Sequence, residues 1–78
     1  MPRGANNWTY DDVVDFLKEH NFKLNHIRGS HYYYVGHTNG VYRQVCVPYH
    51  SRVALKPRTL KGIIKQSGIF KEVWLKRN

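Results

Sequence analysis

Asn39-Gly40 sits between two runs of strand-forming residues and constrains the chain more than any other pair in it. Asn-Gly is favoured where a two-residue hairpin turn needs positive φ at both positions. Before it, His31 to Val35 is aromatic and β-branched and predicts a strand. Gly36 to Gly40 is assigned to the turn. After it, Val41 to Val47 alternates, with Val41, Val45 and Val47 pointing one way and Tyr42, Gln44 and Cys46 the other. Pro48 ends that strand, since it has no amide hydrogen to give a ladder.

The flanking segments supply helices. Thr9 is placed as an N-cap, with Asp12 in the reciprocal position of a capping box and a Trp8–Val13 hydrophobic staple across it. Val13, Phe16 and Leu17 keep helical spacing, and the helix is predicted over Tyr10 to His20, stopped by Asn21. Phe22 to Ile27 predicts a further strand, with Phe22 and Leu24 on one face. Arg28-Gly29-Ser30 forms the corner that follows. Tyr49 to Lys56 is a loop. Pro57 suits a first helical position, Leu60, Ile63 and Ile64 make an apolar stripe up to Ser67, and Gly68 is a C-terminal cap. Ile69 to Leu75, with Ile69, Phe70, Val73 and Trp74, predicts a short helical turn that packs back on the core. Trp8 and Trp74 are expected as core lids.

The order is helix, three strands, helix. Two helices with one apolar stripe each are accommodated by a three-stranded antiparallel sheet that carries both on one face and leaves the other wet. That is an α+β two-layer sandwich, the general plan of double-stranded-RNA-binding domains (dsRBDs). Its 78 residues are expected to form one domain spanning 1–78. A chain of this length buries only about 60% of its unfolded surface, so each large apolar side chain counts.

Charge points to the partner. Thirteen Lys and Arg against five Asp and Glu give a formal +8, and four of the acids (Asp11, Asp12, Asp15 and Glu19) fall in the first helix. Only Glu72 offsets the remaining cations. A polyanion is therefore expected as partner, nucleic acid first and an acidic protein second. Met1 to Asn7 holds one arginine and no apolar run, so no leader is expected. No segment approaches the ~20 apolar residues of a membrane span. The single Cys46 cannot close an internal disulfide, which fits a reducing, cytoplasmic setting. His20, His26, His31 and His37 are separated by gaps that match no compact ligand pattern, so no metal or other cofactor is expected.

Several short motifs fall in a telling order. Asn21-Phe22 opens a strand, Gly29-Ser30-His31 precedes the next, Val47-Pro48-Tyr49-His50 closes the third, and "LKPRTLKGIIKQSGI" spans 55–69. With the N-terminal helix, these resemble the HicA (YcfA-like) toxin family over nearly the whole chain. The resemblance implies a dsRBD-like fold and a metal-independent mRNA interferase of a type II toxin–antitoxin system. It implies cleavage of single-stranded mRNA and neutralisation by a HicB-like antitoxin. It maps the catalytic histidine onto His31 and a second motif histidine onto His50. Two departures stand out: three tyrosines follow the Gly-Ser-His motif, and Ser51 to Lys56 is more apolar than the glycine-rich loop of the family.

The chemistry agrees with the residues. RNA carries its own nucleophile, so a protein needs only to move protons and stabilise charge on a phosphorane. Histidine is suited to this near neutrality. His31 at the start of a strand sits on a rigid element, with Gly29 leaving room for a sugar–phosphate backbone and Ser30 a further supporting candidate. Arg28, Lys56 and Arg58 are candidate cations, and Lys61 and Lys65, four apart, share a helix face that suits phosphates. Tyr32, Tyr34, Tyr42 and Tyr49 are candidates for stacking bases or donating hydrogen bonds. Alternation places His31, Tyr33 and Val35 on one face and Tyr32 and Tyr34 on the other, without fixing which layer His31 shares. Two other readings remain: a non-catalytic dsRBD-like RNA-binding module, and a protein-interaction module whose charge serves an acidic partner. An antitoxin is expected to cover His31 and its surrounding cations, because masking the base is the most direct inhibition.

Overall fold

The first helix begins at a complete capping box. The Thr9 side chain accepts from the Asp12 amide at 3.3 Å, and the Asp12 carboxylate accepts from the Thr9 amide at 2.9 Å. In the computed structural model, which describes residues 7–50 and 53–76, helix α1 runs Tyr10–Glu19. It ends in a Schellman closure. Asn21 takes a left-handed φ of 68°, its amide bonds to the Lys18 carbonyl, and the Phe22 amide reaches back to the Leu17 carbonyl at 2.9 Å. Phe22 is thereby spent on the helix end and the core, and strand β1 begins one residue later than expected, at Lys23–Arg28.

Strand β2 covers His31–Thr38 and β3 covers Val41–Pro48, giving an antiparallel sheet in the order β1-β2-β3. The turn is narrower than the sequence suggests. It is Asn39-Gly40 alone, with φ of 53° and 78°, the signature of a type I′ hairpin. Gly36 lies inside β2, and its role is packing. A Cβ there would come within 2.8 Å of the Phe22 ring, so the missing side chain is the seat for that phenyl group.

Helix α2 spans Pro57–Ser67, with Pro57 in its first turn and Gly68 left-handed at φ 73°, as expected. The short α3 is Lys71–Leu75. Both long helices cover the sheet face formed by Tyr32, Tyr34, Val45 and Val47, so the α+β two-layer, dsRBD-like architecture holds. The core is closed by tryptophans from outside the α–β–β–β–α unit. Trp74 stacks on Phe16 at 3.9 Å, and Trp8 meets both edge-on. The segment packs back on the core as expected, but a five-residue helix can bury only one face, so Trp74 is inside and Ile69 partly buried while Phe70 and Val73 stay exposed. Leu24, expected to share an apolar face with Phe22, is also exposed, since it sits on the edge strand.

Ser67 ties the end of α2 together. Its Oγ donates to the Ile64 carbonyl at 2.7 Å and accepts from the Ile69 amide and Trp74 Nε1 at 3.1 and 3.3 Å. Its carbonyl accepts from Thr38 Oγ1 at 2.6 Å, joining helix to sheet. The outer edge of β3 is also managed: the Cys46 amide donates to Gln66 of α2 at 2.9 Å, and Pro48, two positions on, has no amide hydrogen to leave open. Among the described residues no helix is long and apolar enough to cross a membrane. The expected loop holds as Tyr49–His50 and Val53–Lys56; its residues 51–52, and the N-terminal stretch read for a leader through residue 6, lie outside the described residues.

Candidate active site

The end of the sheet around His31 is built by a second tight turn. Gly29 has φ 57° and Ser30 keeps the ordinary negative sign, the pattern of a type II′ hairpin with glycine first. A Cβ on Gly29 would meet nothing within 4 Å, so it is the backbone angle that calls for glycine, and the space beside it is open. The turn sets Arg28 directly across from His31. On the other side His31 pairs with Pro48. The Tyr49 amide donates to the Ser30 carbonyl at 2.8 Å, so the hydrogen-bonded pair is Ser30 with Tyr49. His31 and Pro48 therefore occupy the neighbouring non-hydrogen-bonded position, where side chains stand closest. His31 is fixed from both sides at the end of the middle strand, and its ring is exposed.

The pairing settles which layer His31 shares. Tyr32 and Tyr34 pair with Val47 and Val45 toward the helices, so His31, Tyr33 and Val35 face the open side, with Arg28 and Pro48 in the same end row. Beyond Pro48 lies a hollow of about 270 Å³ whose walls include His50, Leu55, Lys56 and Thr59. Lys56 is the N-cap residue of α2 and makes no side-chain cap, and the first turn of that helix holds no acid. The positive end of α2 thus opens onto this hollow, and among the described residues neither its first turn nor the hollow's lining supplies a carboxylate.

The residues singled out from the sequence divide into three groups. Arg28, Gly29, Ser30 and His31 come together on the hairpin. His50 and Lys56 line the adjoining hollow, with Pro48 between them and His31. Lys61 borders a different groove, of about 210 Å³, between α2 and α3, while Arg58 and Lys65 are exposed on α2; none of these three is drawn to His31. Tyr34 requires a correction. It is 3% exposed and its hydroxyl bonds to that of Tyr10 at 2.9 Å, so it is a core residue and offers no face to RNA. Tyr32 is half-buried against Tyr10, with Tyr49 lying over both at 5.0 to 5.8 Å. Alternation explains both, since they share the face that the helices cover.

One contact has no counterpart in the sequence analysis. His26 lies parallel to Tyr33 with ring centroids 4.4 Å apart and 8° between planes. Register slips between Leu24 and His26, and that bulge brings His26 opposite Tyr33. Tyr33 in turn faces Cys46 across β3. The contact with Cys46 raises the Tyr33 phenol above its ordinary value, and Arg28 pulls it partly back. Nothing in the spacing of residues 23–28 signals the bulge. Burial, then the bond to Tyr34, pushes the Tyr10 phenol upward on the opposite face.

Residues 10–69 match the family model described as the HicA toxin of bacterial toxin–antitoxin systems. The match covers every element except α3. No curated protein and no solved structure matches the chain significantly.

Proposed function

The chain belongs to the HicA toxin family of bacterial toxin–antitoxin systems, and on that premise we propose that it is a metal-independent endoribonuclease acting on single-stranded mRNA, with His31 as its acid–base residue. The observation that carries the reading is an exposed imidazole anchored between Arg28 and Pro48 at a sheet end. The 2′-hydroxyl of the substrate attacks the adjacent phosphorus and the 5′-oxygen leaves, giving a cyclic phosphate and a new 5′-hydroxyl. One proton must be taken from the attacking oxygen and one returned to the leaving oxygen. His31 handles one of these transfers, and His50, which lines the hollow beyond Pro48, is our candidate for the second. Arg28 stands beside His31 to stabilise the charge gathered on the phosphorane.

Membership of a toxin–antitoxin family gives the protein an antitoxin as partner. In this proposal the antitoxin is HicB-like and covers His31 with Arg28, and the 78 residues act as one domain in the cytoplasm. The test is direct. RNA is incubated with the protein in EDTA beside a His31→Ala variant. Cleavage that survives EDTA and is lost in the variant is the expected result. Binding without cleavage by the unaltered protein would replace the enzyme with the RNA-binding module. In cells, expression should arrest growth and His31→Ala should relieve it; normal growth with confirmed soluble protein counts against toxicity.

A further inference from the structure

We propose that the open face of the sheet is a track for single-stranded RNA, on which the His26–Tyr33 column stacks a base next to the row that holds His31. The inference deepens the nuclease reading, on which it rests for the choice of substrate. All five acids lie on α1 and α3, so the sheet carries none, and its open face presents Lys23, Arg28 and three histidines. A polyanion meets no carboxylate there.

The rings are placed to receive bases. The His26 ring is exposed, and its Nδ1 lies 2.9 Å from Asn25 Nδ2, a donor that fixes the imidazole plane. Tyr33 stands parallel behind it. A base can extend this column as a further layer. At the far end of the same face, Tyr42 is 58% exposed and meets His37 edge-on at 5.6 Å, offering a second ring. Successive open-face positions along a strand lie roughly 6–7 Å apart, about one nucleotide step of an extended chain. A duplex would gain nothing from these rings, because it presents phosphates and 2′-hydroxyls and keeps its bases stacked. Of the tyrosines picked from the sequence for this role, Tyr32 and Tyr34 belong to the other face, and Tyr42 lies on this one.

The test uses a labelled, mixed-sequence 2′-O-methyl oligonucleotide, which lacks the free 2′-hydroxyl and cannot be cleaved, with fluorescence anisotropy as the readout. Tyr33→Ala should weaken binding about tenfold, the size of one base–aromatic stack. Tyr33→Phe should restore it, and Lys71→Ala on α3 should leave it near the starting value. As a check that needs no variant, photocrosslinking of the unaltered protein to 4-thiouridine RNA should label Tyr33 or Tyr42. Equal binding by a folded Tyr33→Ala chain, or crosslinks confined to Tyr49 and α2, would each overturn the proposal. Cleavage is scored separately: RNA cut normally by Tyr33→Ala sinks the track and spares the nuclease, whereas RNA held on this face but never cut does the reverse.

Discussion

Three consecutive tyrosines have two fates. Tyr32 and Tyr34 point toward the helices, where Tyr34 is bonded to Tyr10 and sealed from solvent. Tyr33, between them, stands on the open face between a histidine and a cysteine. The same residue type thus serves packing on one side of the strand and presentation on the other. The helix-covered face is where a substitution should cost stability, and the open face is where it should cost function with the fold intact.

The largest expected effect lies on the open side. His31→Ala should lower RNA cleavage by roughly 10²–10⁴-fold, the usual share of a general acid or base. Its thermal midpoint should stay near that of the unaltered protein, because the ring is exposed. A variant that unfolds early would blur the contrast between the faces, and one that still cleaves would remove His31 from the chemistry.

On the covered side the largest cost belongs to Trp74. It is fully buried against Phe16 and Trp8, so Trp74→Ala should destabilise the protein by about 3–5 kcal/mol in denaturant unfolding. The residue lies beyond the stretch matched to the family, and its removal tests whether α3 belongs to the folding unit of this chain. An unchanged midpoint would mean that residues 10–69 hold the core without it.

Ser67→Ala should follow. It strands the buried Trp74 Nε1 donor, which costs about 1–3 kcal/mol, and takes a partner from the part-buried Ile69 amide. Restoration by Ser67→Thr would sharpen the point, since the hydroxyl returns even though the volume changes.

Much of this contrast was legible in the residues. Thr9 and Asp12, Pro57 and Gly68, and Asn39-Gly40 each carry local chemistry that dictates a cap or a turn, and all stand where expected. The split of the tyrosine triplet also follows from alternation. What alternation lacks is an origin: it separates Tyr33 from its neighbours without saying which side meets the helices. That is decided by tertiary pairing with Val45 and Val47. The bulge near Asn25 is invisible for the same reason, because it exists only relative to the partner strand. Gly36 misled for a different one. Glycine marks either a bend or a close approach, and only the position of Phe22 distinguishes them. At the site, the hairpin group of Arg28 to His31 is contiguous and so was easy to assemble. The lysines of α2 were picked for their charge and shared helix face, which says nothing of where that face lies, and the fold sends Lys61 to another groove.

The smallest expected effect compares the two faces through pH. The Tyr10 phenol is held above its ordinary value of 10.0, chiefly by burial and then by Tyr34. The folded state therefore keeps the Tyr10 proton at a pH where the unfolded chain has begun to release it. The stabilisation is complete below about pH 10 and is lost as pH rises through the folded value, so urea midpoints should fall on the alkaline side. Tyr10→Phe should cost about 0.5–1.5 kcal/mol at neutral pH, through the bond lost to Tyr34. It should also flatten the alkaline fall. Tyr33 is raised as well, but by its contact with Cys46 on the open face, where water reaches the ring. Solvent screens that contact, so Tyr33→Phe should flatten the alkaline fall far less than Tyr10→Phe does. If the two substitutions act alike on that profile, burial is not what separates the faces, and the division of labour along this strand must be sought elsewhere.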